Sequence, residues 1–203
     1  MPIPVEVFID VVCPFCLLIE PTLDELQHTR DVELEIRPFE LRPAPVPTLR
    51  PEDDYLPRVW REAVLPLASR LKIPITLPTI SPQPRSERAF LILQLAREQG
   101  IGKAWTDAVL KAFFQEDKDI GSPQILIDIA TSVGLDHDEV TAALGSEVRR
   151  RQHQADLRHA RDEVGITAVP GIVVAGHLLP GVPDITRLQE AVDAAASRPE
   201  VNR

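Results

Sequence analysis

Phe8-Ile9-Asp10-Val11-Val12-Cys13-Pro14-Phe15-Cys16 reads as an apolar strand running into the start of a helix, with a Cys-x-x-Cys at the junction. These are the only two cysteines in a chain of 203 residues. Two thiols so spaced at a helix N-terminus can close a disulfide within one turn. They also lie where the partial positive charge of the helix end favours a thiolate over a thiol. Proline at position 14 suits the first helical position, because its missing N–H would have no partner there anyway. Placement alone points to redox chemistry.

On the upstream side, Val5, Val7 and Ile9 alternate with Glu6, Phe8 and Asp10, the period of a strand. Downstream, the helix carries Leu17, Leu18, Leu23 and Leu26, and Pro21 is expected to kink it by removing one i→i−4 bond. Val32-Glu33-Leu34-Glu35-Ile36 alternates strictly and predicts a second strand. A strand–helix–strand unit of this length implies parallel strands. Pro38, Pro43, Pro45, Pro47 and Pro51 then exclude regular structure and mark a crossing segment.

From residue 52 to about 160 the pattern is helical in blocks. Tyr55, Val59, Ala63 and Leu67 suggest a helix interrupted by Pro57 and Pro66. After Ser86, one apolar face holds Ala89, Ile92, Leu93 and Ala96 and stops at Gly100; another holds Trp105, Val109, Ala112 and Phe113. Ser122 precedes Pro123 as a helix start closed by Gly134, and Asp136-His137-Asp138-Glu139 reads as a capping box. Gly145 to Val164 predicts one polar helix, with Val148, Ala155 and Val164 as its apolar positions and Arg149-Arg150-Arg151 on a solvated face. A Val169-Pro170 turn, a buried strand to Gly176, a hairpin return over His177–Pro180 and a helix capped by Asp184 complete the order. Residues from about Arg198 to Arg203 are expected to be disordered. The fold class is α/β: residues 1–45 and 162–203 form one domain, interrupted by an all-helical insertion at 46–161.

The formal net charge of −9 argues against nucleic acid or an anionic membrane as a partner. No stretch approaches the roughly 20 apolar residues of a membrane span. The first ten residues lack the basic region and cleavage site of a signal peptide, so a cytoplasmic protein is expected. In a reducing cytosol a lone Cys-x-x-Cys is catalytic or metal-binding more often than structural. Zinc lacks support, with no second cysteine pair and no ligand spacing among His28, His137, His153, His159 and His177. The expectation is therefore no metal and no organic cofactor.

This layout resembles the thioredoxin fold, and more closely the DsbA-like oxidoreductases of the FrnE-like branch. The matching residues are Phe8-x-Asp10-x-x-Cys13-Pro14-x-Cys16, Pro38-Phe39-x-Leu41-x-Pro43, Phe113-Phe114-x-Glu116-x-x-Asp119-Ile120 and the Val169-Pro170 turn. The resemblance spans nearly the whole chain. It implies a thioredoxin fold with a helical insertion, a cis Val169-Pro170 bond beside the reactive pair, and thiol–disulfide exchange on protein or small-molecule disulfides. Phe15 stands where the branch more often has tryptophan and DsbA itself histidine. Lacking a cation between the sulfurs, the pair is expected to be more reducing than DsbA, at about −120 mV.

In this reading Cys13 is the outer, attacking sulfur and Cys16 resolves the mixed disulfide. Pro14, Phe15, Val169, Pro170 and Asp10 support the site. Val169-Pro170 presents backbone to substrate as strand addition does. Asp10 caps the helix, tunes the cysteine pair or is merely solvated; Glu20 relays a proton or lies on the surface. Phe39, Leu41, Trp60 and Trp105 read as core rather than substrate platform. Two rivals stand beside this. A glutathione-dependent transferase or isomerase of the kappa-class or 2-hydroxychromene-2-carboxylate isomerase type resembles the same fold, but carries a serine near position 13. A folding helper without catalysis would keep its activity in a Cys13→Ser variant. Self-association as a homodimer is compatible with the sequence.

Overall fold

A computed structural model describes residues 1–179 and 181–198. Its sheet is built on β1 (Ile3–Ile9), which lies parallel to β2 (Val32–Pro38) and antiparallel to β3 (Gly171–Val174); β4 (His177–Leu179) closes the order β2-β1-β3-β4. Val7 sits opposite Ile36 on one side and Ile172 on the other. Alternation holds at Val5-Glu6-Val7, where Glu6 keeps partial access to solvent, but Phe8, Ile9 and Asp10 are all buried. Helices cover both faces of the sheet at this end, so a strand read as two-sided becomes an interior one.

Pro21 acts as expected. The helix divides at Ile19 into α1 (Pro14–Leu18) and α2 (Glu20–Thr29), with proline in the first turn of the second piece. The proline-rich crossing leads to α3 (Tyr55–Val59), a π-helical turn (Trp60–Val64) and α4 (Leu65–Leu71). Pro57 falls in a first turn, where no N–H is required. Pro66 has no N–H to give, and the ladder before it slips so that the Leu65 N–H bonds the Trp60 carbonyl.

The remaining helices are α5 (Glu87–Glu98), α6 (Gly102–Phe114), α7 (Pro123–Ser132), α8 (His137–Gly145), α9 (Glu147–Arg158) and α10 (Ile185–Ala196). The Asp136 carboxylate accepts the Asp138 and Glu139 N–H groups, and Asp184 accepts that of Arg187. Ser122 occupies its N-cap position without a side-chain bond. One apolar face was expected on α5, yet Ala89 through Leu93, with Leu95 and Ala96, are all buried because α6, α7, α8 and α9 pack around it. The expected helix over 145–164 is corrected in detail. It starts after Ser146, whose hydroxyl accepts the Arg149 N–H, and ends in a π-helical turn (His159–Glu163). Val148 is 67% exposed; the helix docks instead through His153 and Leu157. Arg149 is not simply solvated, since both its terminal nitrogens bond Glu98 at 2.8 and 2.7 Å.

Ala175 and Gly176, with φ of 47° and 79°, form the tight turn between β3 and β4. Pro180, expected in that hairpin, and residues 199–203 of the expected tail lie outside the described residues. The apolar interior is continuous: Val5, Cys16 and Val174 belong to the same buried cluster as Trp105, Phe113 and Leu126. Among the described residues no helix is long and apolar enough to cross a membrane.

Candidate active site

Cys13 is the N-cap residue of α1, extended at φ −95°, and Pro14 is the first helical residue, as the sequence implied. Cys16 lies one turn inside, its N–H bonded to the Cys13 carbonyl at 3.0 Å. Neither cysteine is broadly exposed, at 5% for Cys13 and 1% for Cys16. The difference lies in what they face. Cys13 lines a cavity of about 260 Å³; Cys16 does not. Burial, followed by the neighbouring Cys13 sulfur, pushes the Cys16 thiol well above its ordinary range. The Val169-Pro170 bond is cis, and the Cys13 S–H points to the Val169 carbonyl at 3.6 Å. Thr167, Ala168 and Val169 form the wall beside the sulfur; Pro170 stands behind that wall.

Asp10 is only 1% exposed, which overturns the solvated reading. Nor does its side chain cap α1. One oxygen accepts the Val12 N–H at 3.3 Å and the Ser86 hydroxyl; the other accepts the Leu41 N–H at 2.7 Å. Burial raises its pKa to about 6, with Glu40 adding to the rise and the three donors opposing it. Asp10 thus ties the end of β1 to the crossing segment and to the start of α5.

Phe15 and Pro14 line the same cavity, as do Leu41, Tyr55 and Trp60. Leu41 is 44% exposed and is not core; Trp60 is both core and cavity wall. Phe39 is core, covered by the Arg161 guanidinium 5.2 Å from its ring centre, and Trp105 donates its indole N–H to the Ala89 carbonyl at 3.0 Å. The matching motif in the helical insertion is structural. Phe113, Phe114 and Ile120 are buried, Glu116 pairs with Lys118 at 2.7 Å, and Asp119 accepts the Gly121 N–H.

Sequence reasoning missed Ser86, Arg42, Arg85 and the pair Glu40–His153. Ser86 did carry a signal, as a serine immediately before an apolar helical run. His153 is fully buried, stacks on Phe90 and donates from Nε2 to Glu40 Oε1 at 2.6 Å. Glu20 is half-buried rather than simply on the surface. Burial and Asp107 raise its carboxyl pKa to about 9, and its Oε1 has no partner.

The chain matches the family model described as a DSBA-like thioredoxin domain over residues 4–193. It is 37% identical over 182 residues to the uncharacterized protein YwbO of Bacillus subtilis, covering 89% of this chain and 91% of that one. A probable DsbA oxidoreductase from Streptomyces coelicolor superposes with a TM-score of 0.79 at 23% identity, over 99% and 93% of the two chains. A 2-hydroxychromene-2-carboxylate isomerase does so with a TM-score of 0.75 at 14% identity, over 95% and 96%. The two superpositions carry the fold, shared by an oxidoreductase and an isomerase; the chemistry rests on the side chains.

Proposed function

The chain belongs to the DSBA-like thioredoxin domain family, and on that premise we propose that it is a thiol–disulfide oxidoreductase acting through Cys13 and Cys16. The observation carrying this reading is the asymmetry of the two sulfurs, one on a cavity wall and the other sealed behind it. In the reductive direction the Cys13 thiolate attacks a substrate disulfide, forming a mixed disulfide and expelling the first substrate thiolate. Cys16 then gives up its proton and attacks the Cys13 sulfur, expelling the second thiolate and leaving a Cys13–Cys16 disulfide. Two electrons pass from the cysteine pair to the substrate. The charge of Asp10, whose own pKa is raised to about 6, adds to the rise of the Cys16 thiol and so helps keep it protonated until it resolves the mixed disulfide. The Thr167–Val169 backbone and the Pro14-Phe15 turn position the substrate sulfur.

The same reading assigns the FrnE-like branch, a cytoplasmic setting, no organic cofactor, and the division at 46–161. Segments 1–45 and 162–203 supply the sulfurs and the Val169 turn, while the insertion supplies the wall around Trp60. Retention of cysteine at position 13 opposes the isomerase type, whose chemistry uses a serine there. Insulin reduction driven by dithiothreitol tests the reading. The Cys13→Ser and Cys16→Ser variants should each lose at least about a hundredfold in rate, whereas full activity in Cys13→Ser would favour a folding helper and overturn it.

A further inference from the structure

Two arginines lie at the reactive sulfur of this acidic chain. Arg42 and Arg85 both line the Cys13 cavity. Among the described residues neither forms an ion pair, so both charges are free to meet a ligand, and unlike the other arginines without a carboxylate partner these two sit on the cavity wall. Arg85 donates from Nη1 to the Arg42 carbonyl at 3.0 Å, which fastens the start of α5 to the crossing segment and sets the two cationic residues side by side. The cavity has one acidic lining residue, Asp10, and donors from Leu41, Val12 and Ser86 already occupy both its oxygens. In a chain of net charge −9 the space in front of Cys13 is thus locally cationic. A guanidinium presents paired donors whose geometry matches a carboxylate. The volume of about 260 Å³ is below the usual range for drug-sized ligands, and suits a molecule no larger than a short peptide.

We propose that this cavity selects low-molecular-weight disulfides and thiols that bear a carboxylate, with Arg42 and Arg85 as the residues that hold it. The proposal rests on the oxidoreductase reading of Cys13. In one turnover the reduced pair supplies both electrons: Cys13 forms the mixed disulfide with half of the substrate, Cys16 displaces it, and two carboxylate-bearing thiols leave while Cys13 and Cys16 become joined. Apolar contact with Leu49 and Trp60 accommodates the stem, and the charged end lies against the arginines.

The test is single-turnover reduction of three disulfides of similar length by the pre-reduced protein at low ionic strength: anionic dithiodiglycolate, neutral bis(hydroxyethyl) disulfide and cationic cystamine. Each rate is divided by that of free dithiothreitol with the same disulfide, which removes intrinsic reactivity. The wild type should prefer the anion over the neutral compound by about tenfold or more, and the cation least. Arg42→Gln or Arg85→Gln should each cut the anion-to-neutral ratio several-fold. Added salt should compress it. Arg158→Gln makes the same change of net charge outside the cavity and should keep the wild-type ratio. Equal normalised rates for the three disulfides, or a ratio untouched by the cavity substitutions, would overturn the proposal while leaving the oxidoreductase reading standing. Failure to reduce any of the three would overturn the proposal, and only failure to reduce insulin as well would overturn the oxidoreductase reading.

Discussion

Two acids, one buried and one half-buried, are accommodated in opposite ways. Glu40, 3% exposed at the end of the β2 segment, meets the fully buried His153 of α9 at 2.6 Å, and its backbone carbonyl accepts from Arg161 at 2.8 Å. Glu20, at the start of α2, faces Asp107 of α6, a like group, while Lys103 spends its charge on Asp24 and Asp107 at 2.7 and 2.6 Å. In the first place burial is offset by a donor of opposite character; in the second it is offset by retaining a proton. Asp10 lies between these extremes, with three donors and a pKa of about 6. A carboxyl can therefore be a structural tie or a proton reservoir according to its neighbours.

The largest effect is expected from breaking the matched pair. His153→Leu strands the Glu40 carboxylate in the interior, and a loss of about 3–5 kcal/mol in chemical denaturation is expected. A second effect, smaller and opposite in sign, separates the unmatched pair. The folded-state pKa of Glu20 is raised from 4.5 to about 9, so the folded chain binds a proton that the unfolded chain has released. That relative stabilisation is complete below pH 4.5 and is lost as the pH climbs through about 9. Glu20→Gln keeps a donor toward Asp107 without the titration. It should stabilise the protein by about 1 kcal/mol at pH 8 and flatten stability between pH 6 and 9, as measured by urea melts across that range. The slope from Asp10, between 3.8 and about 6, should survive the substitution. A steeper slope above pH 6 would remove the contrast.

Much of this architecture was legible in the sequence, because its signals are local. Val5-Glu6-Val7, Pro14 after Cys13, the box at Asp136, the cap at Asp184 and the turn at Gly176 each act within a few residues, and each has the expected element around it. The Val169-Pro170 turn beside Cys13 came from resemblance rather than spacing, across a separation of 156 residues. What escaped has no short-range pattern. Ser86 meets Asp10 over 76 residues, and His153 meets Glu40 over 113. Val148, one of few apolar residues on a polar helix, faces solvent. The actual contact is made by a histidine, which periodicity counts as polar. The cavity wall failed to emerge for a related reason: Arg42 and Arg85 lie in irregular, proline-bearing segments whose path no period encodes.

The central claim is that the outer sulfur captures substrate and the sealed one releases it. Intact-mass analysis of the reduced protein mixed with a disulfide substrate tests this most directly, comparing wild type with Cys16→Ser and Cys13→Ser. A stable one-to-one adduct on Cys13 should accumulate in Cys16→Ser alone, because nothing remains to displace it. An adduct forming on Cys16 in the Cys13→Ser protein at a comparable rate would show that substrate reaches the inner sulfur, and would contradict the account.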